Sequence, residues 1–458
     1  MMNSVQMILS KQHFPEVFAF AEKNSALSRN LYNAALFRIR QTFTGWDKES
    51  RSENEQEVFT EIEKTVQMTD GKFKPKRILN YNALEKILRA NENPDFFSGL
   101  PMQTAQAVVR AAASAFSNWL KALKEYKKSP NKFTGCPKMP GYKKGTRMTF
   151  TVTNQDAVLY PSDTGESCML KLPGFLKGKR VPLKYLSSDA NLRQVSFKPY
   201  YGTFVMTFAV EDMAPFFHPD LPNFAGIDLG TDNIAAVVCT DASSVVYKGG
   251  AVLSENQWFA KEKAKAVSII TKGHDYIHAS SHHLNRLSMH HDCFLKDQMH
   301  KISCDIIRYC AEHRVGTIVI GMNKQWKQDA SIGKRNNQTF VTIPHARLRD
   351  MILYKALSAG ITVIEQEESY TSKADVTAND LIPVYGQEKE NPHFSGNRIK
   401  RGLYRCHNGL LINADCNGAA NILRKAFPDI WKCIKDFRFL TVPESRGFWK
   451  LNPKYRIA

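Results

Sequence analysis

The chain of 458 residues lacks the marks of a membrane or secreted protein. No apolar run approaches the roughly 18 residues that a membrane-spanning helix needs. The first residues, MMNSVQMILSKQHFPEV, have neither the basic start nor the small-residue cleavage site of a secretory signal. The nine cysteines are an odd number, are scattered, and form no C-x-x-C pair. These absences argue against a disulfide framework and predict a protein of the reducing cytoplasm without membrane contact.

Acidic residues are also scarce relative to basic ones. Asp and Glu number 44 against 63 Lys and Arg, which gives a formal net charge of +19. Such an excess argues against an ordinary small-molecule metabolic enzyme. It favours a polyanionic partner, because each basic contact to a phosphate releases a counterion.

The first half of the sequence predicts a β-barrel that a helical insertion interrupts. Residues 4–9 indicate a strand, and residues 15–127 have mainly helical periodicity, with a polar loop or helix pair at 48–75. A basic stretch with Pro and Gly, residues 127–147, precedes several short strand patterns that end near residue 210. We therefore predict a barrel from residues 1–14 and 128–220, a helical lobe at 15–127, and a domain boundary near residue 220.

The second half predicts an α/β domain. Strand patterns occur in FAGIDLGTDNIAAVVCTD and at residues 316–321 and 360–367. Helical patterns occur at residues 255–271, 295–313 and 345–358, and in the final INADCNGAANILRKAF. A charged excursion rich in Gly and Pro separates the last strand from the last helix, at residues 375–409.

Two aspartates suggest the chemistry of this domain. Asp228 lies inside an apolar strand pattern, where an unpaired carboxylate costs several kcal/mol, roughly, to bury. Asp415 opens the last helix, far away in the sequence. Acidic residues that meet at the ends of adjacent elements can hold two Mg²⁺ ions for phosphodiester hydrolysis. The alternatives are a turn residue for Asp228 and a helix N-cap for Asp415.

Four motifs in this order and spacing resemble the nuclease core of the TnpB family. They are GIDLGTDNIAAV, TIVIGMNKQWKQ, VIEQEESYTSKA and LINADCNGAANIL. TnpB proteins are RNA-guided endonucleases of insertion sequences and ancestors of the type V CRISPR effectors. The resemblance is strong over residues 224–425 and weaker in the N-terminal half.

The resemblance implies an RNase H-like (RuvC) nuclease domain of residues 221–374 and 410–458. It also implies that the N-terminal barrel is a wedge domain and that the helical lobe is a recognition lobe. The implied partners are a guide RNA and target double-stranded DNA beside a short motif, with base pairing supplying sequence specificity. The implied cofactor is Mg²⁺ or Mn²⁺. The implied protein is a monomer of the prokaryotic cytosol or nucleoid.

The sequence departs from most of the family at one expected metal ligand. Gly321 stands where most relatives have Glu, and glycine has no side chain with which to hold a metal. Glu365, Glu367 and Glu368 lie at the end of the next strand, which is adjacent in the RNase H topology. A subset of the family has this E-E-S-Y-T-S-K arrangement, so the ligand has moved. We favour Glu368 over Glu367; a solvated strand end without a role is the alternative.

The second departure concerns zinc. Most relatives have two Cys pairs in the region of residues 375–409, whereas this sequence has Cys406 there, and structural zinc needs four ligands. We therefore predict no zinc, and we disfavour both a three-ligand site of His393, Cys406 and His407 and a metal role for the histidines between 282 and 300. The basic insertion of residues 375–409 is predicted instead to bind target nucleic acid. The predicted nucleic-acid contacts are Lys324, Trp326, Lys327, Arg398, Lys400, Arg401 and Arg405.

A competing function stays open because of Gly321. A relative that loses core carboxylates becomes an RNA-guided DNA-binding protein, which acts as a transcriptional repressor. The presence of Asp228 and Asp415 favours the nuclease, for which the predicted metal ligands are Asp228, Glu368 and Asp415.

Overall fold

A computed structural model describes most of the chain. The described residues are 2–161, 168–173, 180–183, 186, 190–211, 221–273, 281–322, 343–378, 380–386 and 392–452. The chain divides into two compact units, residues 1–213 and 214–458. No helix among the described residues is long and apolar enough to cross a membrane.

The first unit contains four helices inserted between its first two strands. The helices are α1 (Pro15–Gly45), α2 (Glu53–Met68), α3 (Tyr81–Ala90) and α4 (Met102–Lys128). Their apolar stripes pack into one cluster that includes Leu31, Ile87 and Phe116. Helix α2 corrects the sequence prediction of a loop or helix pair at residues 48–75. A capping box starts this helix, because the Ser52 side chain accepts from the Glu55 backbone and the Glu55 carboxylate accepts from the Ser52 backbone.

The strands of the first unit form two antiparallel sheets. The strands are β1 (Met2–Leu9), β2 (Phe150–Thr153), β3 (Val158–Pro161), β4 (Cys168–Lys171), β5 (Arg180–Leu183), β6 (Asn191–Tyr200) and β7 (Thr203–Glu211). One sheet has the order β1-β7-β6-β2 and the other β3-β4-β5. Alternate residues of both sheets enter one apolar core with the start of α1. Closure of these sheets into a barrel stays a prediction.

The second unit is built on a six-stranded mixed sheet. Its strands are β8 (Asn223–Asp228), β9 (Asn233–Cys239), β10 (Ser243–Lys248), β11 (Val315–Met322), β12 (Thr362–Glu367) and β16 (Glu444–Arg446), in the order β12-β11-β8-β9-β10-β16. Strands β8, β9 and β10 are antiparallel neighbours, whereas β11 and β12 run parallel to β8, and β16 runs parallel to β10. The carboxyl ends of β8, β10, β11, β12 and β16 therefore lie at one edge of the sheet, where β9 begins.

Helices cover both faces of this sheet. They are α5 (Gly250–Ile270), α6 (His282–Glu312), α7 (His345–Ser358), α8 (Ala414–Ala426) and the short α9 (Phe448–Leu451). Ala225 and Ile227 face the cluster with α6 and α7, whereas Ala236 and Val319 face α8. Helix α6 begins thirteen residues before the predicted start, because Ser281 caps a histidine-rich first part that buries Leu284 and Leu287.

The predicted charged excursion contains regular structure. Strands β13 (Asn397–Lys400), β14 (Leu403–Arg405) and β15 (Leu411–Asn413) form a small antiparallel sheet that leads directly into α8. Gly226 allows α8 to lie against the main sheet, because a Cβ at this position would overlap the Ala419 carbonyl oxygen.

Candidate active site

Asp228, Glu368 and Asp415 lie at one edge of the main sheet, and we call these three residues the acidic centre. Asp228 ends β8, Glu368 follows β12, and Asp415 is in the first turn of α8. The parallel pairing of β8, β11 and β12 brings the first two positions to the same edge. Helix α8 packs on β8 and β9 and brings Asp415 to the same edge.

The Asp228 carboxylate faces helix α8. A Cβ on Gly418 would lie 2.7 Å from Asp228 Oδ2, so the absence of a side chain there leaves room for the carboxylate. The backbone N–H of Gly230, which an Asx turn at Asp228 would use, donates to the Ile234 carbonyl oxygen instead (3.3 Å). The alternative interpretation of Asp228 as a turn residue is therefore wrong.

The pKa of Asp228 lies well above its ordinary value. Burial among protein atoms is the main cause, although part of the residue reaches the surface, and the negative charges of Glu368 and Asp415 raise this pKa further. Arg398 acts in the opposite direction. The three carboxylates therefore repel one another, and a cation would relieve this repulsion.

Asp415 is held by neighbours on both sides. Asn233 at the start of β9 donates its amide to Asp415 Oδ2 (2.6 Å), and the Arg398 guanidinium lies 3.4 Å from Oδ1. The helix cap is Asn413, whose side chain accepts from the backbone N–H groups of Asp415 and Cys416 (3.0 and 3.1 Å). The alternative in which Asp415 is the N-cap is therefore wrong, and its carboxylate is available for another role.

Glu368 occupies the space above Gly321. A Cβ on residue 321 would overlap Glu368 Oε2 and would lie 2.7 Å from Ile422 Cδ1. Glu368 and any side chain at position 321 thus compete for the same volume. Burial raises the pKa of Glu368 to about 7, with a further contribution from the neighbouring charge of Glu367.

Glu367 points to a different set of partners. Its carboxylate accepts from Lys425 Nζ (2.6 Å) and from the Ser369 backbone N–H (2.8 Å). These hydrogen bonds lower the pKa of Glu367 in spite of its burial. Lys425 also donates to the carbonyl oxygens of Ser369 and Pro383 (3.0 and 2.8 Å), so it fixes the turn that follows β12. Glu365, further back on the strand, lies 3.4 Å from Arg349.

The remaining predicted contacts divide into two groups. Arg398 and Arg401, on the small sheet and its turn, pair with Asp415 and Asp232, and Lys400 and Arg405 are exposed. Lys324, Trp326 and Lys327 lie outside the described residues. A nucleic-acid role for all seven residues stays a prediction.

The donor set of the acidic centre fits a hard divalent cation. Carboxylate and amide oxygens are the ligands that Mg²⁺ and Mn²⁺ prefer. Within the described ranges, no three His, Cys, Asp or Glu side chains are close enough together to form a ready-made metal site. Cys406 is buried, and His407 lies 3.1 Å from Asp375. The absence of zinc stays a prediction.

Sequence reasoning did not identify the supporting residues. Asn233, Gly418 and Lys425 contact Asp415, Asp228 and Glu367, respectively. Asn233 and Gly418 lie within the motifs DLGTDN and ADCNG, beside the two aspartates, and this proximity was the available signal. Lys425 lies on a helix of ordinary pattern, and no sequence signal connects it with the end of β12.

Replacing Glu368 by Gln is expected to stabilise the protein at high pH when divalent ions are absent. The raised pKa means that the folded protein holds this proton more tightly than the unfolded chain. The resulting stabilisation is complete below about pH 4.5 and is lost as the pH rises through about 7. In EDTA, Glu368→Gln should exceed wild type at pH 8 by up to about 3 kcal/mol in the free energy of unfolding. At pH 4 the two proteins should differ little.

Urea unfolding at pH 4, 6 and 8 measures this difference, with Glu365→Gln as the matched control. Excess Mg²⁺ should raise the stability of wild type at pH 8 and should leave Glu368→Gln unchanged. Superimposable curves for wild type and Glu368→Gln at pH 8 would contradict the burial of an ionised Glu368.

Two family models match parts of this chain. The family model described as "Probable transposase" (OrfB_IS605) matches residues 218–327, and the model described as "Cas12f1-like, TNB domain" matches residues 345–422. The first match includes Asp228, and the second includes Glu368 and Asp415.

A viral protein and a solved complex are also similar. The "TnpB-like protein ORF457" of Acidianus two-tailed virus is 29% identical over 210 residues, which are 44% of this chain and 41% of that protein. The match thus spans less than half of the length of that relative. The structure described as "Cryo-EM structure of the Cas12f1-sgRNA-target DNA complex" has a TM-score of 0.51 at 14% identity, covering 90% of this chain and 84% of that chain.

The structural likeness concerns the fold, which is similar to that of Cas12f1. The two family models and the viral relative, which match parts of this chain, then support a protein of the TnpB family. The family prediction from the four motifs is confirmed.

Proposed function

We propose that this protein is an RNA-guided, Mg²⁺-dependent DNA endonuclease with a RuvC-like core. The observation that carries the proposal is the acidic centre, in which three carboxylates from distant parts of the sequence lie at one sheet edge, and Glu368 and Asp415 act electrostatically on Asp228. Glu368, placed above Gly321, would supply the carboxylate that β11 lacks.

The topology of the second unit supports the RuvC-like part of the proposal. Three antiparallel strands, β10-β9-β8, continue into two parallel strands, β11 and β12, and α8 crosses one face. This order supports the RNase H-like fold that the four motifs imply, with Asp228 at the end of β8 and Asp415 on α8.

Asp228, Glu368 and Asp415 would hold Mg²⁺ or Mn²⁺. The bound ions would activate the attacking water and stabilise the leaving oxygen of the phosphodiester. Asn233 orients Asp415 through its hydrogen bond (2.6 Å), and Lys425 fixes the turn that presents Glu368. Arg398 would exchange its ion pair with Asp415 for a contact to nucleic acid when the ions bind.

The partners in this proposal are a guide RNA and target DNA, bound by a monomer. The net charge of +19 supports a polyanionic partner. The similar Cas12f1 structure is described as a complex with guide RNA and target DNA, which supports the same pair of partners here. The matched TNB-domain model spans the insertion at residues 375–409, for which we propose target binding.

A guide-dependent cleavage assay tests the proposed function. The purified protein should retain an RNA of defined end sequence, which sequencing of the bound RNA would identify. Loaded with a re-targeted version of that RNA, the protein should cut a matching plasmid in Mg²⁺ and leave a mismatched plasmid intact. Equal binding of random RNA, without guided cutting, would overturn the proposal. Guided binding without cutting would instead favour the repressor function, which Gly321 keeps in consideration.

A further inference from the structure

An aromatic groove lies at the same sheet edge as the acidic centre. It has a volume of about 580 Å³, and its walls come from α5, α6 and α9. Trp258 and Trp449 line the groove, and their exposed fractions are 46% and 55%, respectively. Phe294 and Phe448 also line it. Two tryptophans exposed to this extent beside one groove favour a ligand with a flat face.

The walls of the groove are held in place before any ligand arrives. The rings of Phe294 and Phe448 are stacked, with centroids 6.1 Å apart, and Trp449 is edge-on to Phe448 at 5.1 Å. Asn452 donates to the Phe448 carbonyl oxygen (2.8 Å), which fixes the short helix α9. Arg446, just before α9, pairs with the buried Asp305. A preformed aromatic wall loses little entropy when it binds a flat ligand.

Strand pairing connects the groove to the acidic centre. Lys248, at the end of β10 and at the mouth of the groove, is the register partner of Asn233. Asn233 in turn donates to Asp415. A phosphate beside Lys248 would therefore lie near the acidic centre.

The groove also contains a hydrogen-bond acceptor. Glu255 lines the groove with a side chain that is 15% exposed; its covered oxygen Oε1 lies 3.6 Å from His290 Nδ1, which leaves the other carboxylate oxygen to accept. A carboxylate in this position accepts from an exocyclic amino group, as of cytosine or adenine. Thymine lacks this amino group, and its one donor, the ring N3–H, lies between two carbonyl oxygens that a carboxylate repels.

We propose that this groove binds one unpaired base of a single-stranded DNA that enters the acidic centre. Trp258 and Trp449 stack on the base, Glu255 accepts from its amino group, and Lys248 contacts the adjoining phosphate. The choice of DNA over RNA rests on the proposed nuclease function, because the groove adjoins the carboxylates that would meet the strand to be cut. The base-binding part rests on the groove alone.

Binding of short oligonucleotides to the full-length protein tests the proposal. Fluorescein-labelled dC12 and dT12 are titrated in EDTA at about 0.3 M salt, where phosphate contacts are weakened and stacking persists. The dC12 oligonucleotide should bind about 10-fold more tightly than dT12. Trp449→Ala and Trp258→Ala should each weaken dC12 binding about 10-fold or more, and Glu255→Gln should reduce the preference for dC12 over dT12. Tyr385→Ala, an aromatic residue 77% exposed outside the groove, is the matched control.

Equal binding of dC12 by wild type and both tryptophan variants would overturn the proposal. So would preferential binding of an rC12 oligonucleotide over dC12. A change in oligomeric state on Trp449→Ala, measured by light scattering, would show that a second copy covers the groove and would also overturn it. Because these readouts need no cleavage, they separate failure of the groove from failure of the proposed nuclease.

Discussion

Asp228→Asn and Asp415→Asn are each expected to reduce the cleavage rate about 10³-fold or more and to leave guided binding of target DNA unchanged. Each replacement removes one negative charge from the acidic centre, where three carboxylates share one sheet edge. The binding of a cation depends on these charges, whereas pairing between guide and target does not. The cleavage rate should therefore fall while the affinity for target DNA stays at the wild-type value.

Single-turnover cleavage and filter binding of the same target measure this separation. Asp429→Asn is the matched control, because Asp429 is 74% exposed and pairs with Lys432 at the surface. Equal loss of binding and cutting would point to misfolding. Full cutting by either acidic-centre variant would remove that residue from the proposed metal ligands.

Glu368→Gln is expected to lose cleavage to the same extent, whereas Glu367→Gln and Glu365→Gln should retain most of it. Glu368 lies above Gly321 and acts electrostatically on Asp228. Glu367 is bound by Lys425 and the Ser369 backbone, and Glu365 lies beside Arg349. The three variants change one charge each within four residues, so they serve as controls for one another.

Cleavage rates over a range of Mg²⁺ concentrations measure these differences. Glu367→Gln should lose some stability, because Lys425 is 6% exposed and would lose its anionic partner. Loss of cutting in Glu367→Gln with full cutting in Glu368→Gln would show that Glu367, and not Glu368, is the metal ligand.

The sequence predicted the strands that matter for the site because their apolar patterns are strong. FAGID and TIVIG are buried strands, and the last helix has the predicted apolar phase. Asp228 was recognisable as a candidate because it interrupts an apolar strand pattern, and Asp415 because it opens the last helix. Their meeting at one edge follows from parallel pairing, which the motifs implied.

Other elements could not be predicted from local patterns. Strand β10, SSVVYK, and the three-residue β16 are short, and their pairing with each other joins segments about 200 residues apart. Helix α2 lies in a polar stretch, where its capping box rather than its apolar content marks the start.

Local sequence patterns also could not decide whether Glu367 or Glu368 belongs to the acidic centre. Strand alternation ends at Glu367, so it does not fix the direction of Glu368. Lys425, from a helix 58 residues away, binds Glu367 and thereby decides the outcome. Such a contact depends on tertiary packing and leaves no mark on the local sequence.

The most direct test of the relocated ligand is an exchange of side chains between positions 321 and 368. Gly321→Glu alone should be inactive, because its Cβ would overlap Glu368 Oε2. Glu368→Gly alone should be inactive because it removes a metal ligand. The double variant Gly321→Glu/Glu368→Gly should recover guided, Mg²⁺-dependent cleavage to within about 10-fold of wild type, since one carboxylate again occupies the shared volume. A double variant as inactive as Glu368→Gly, although folded and able to bind its target, would contradict the account.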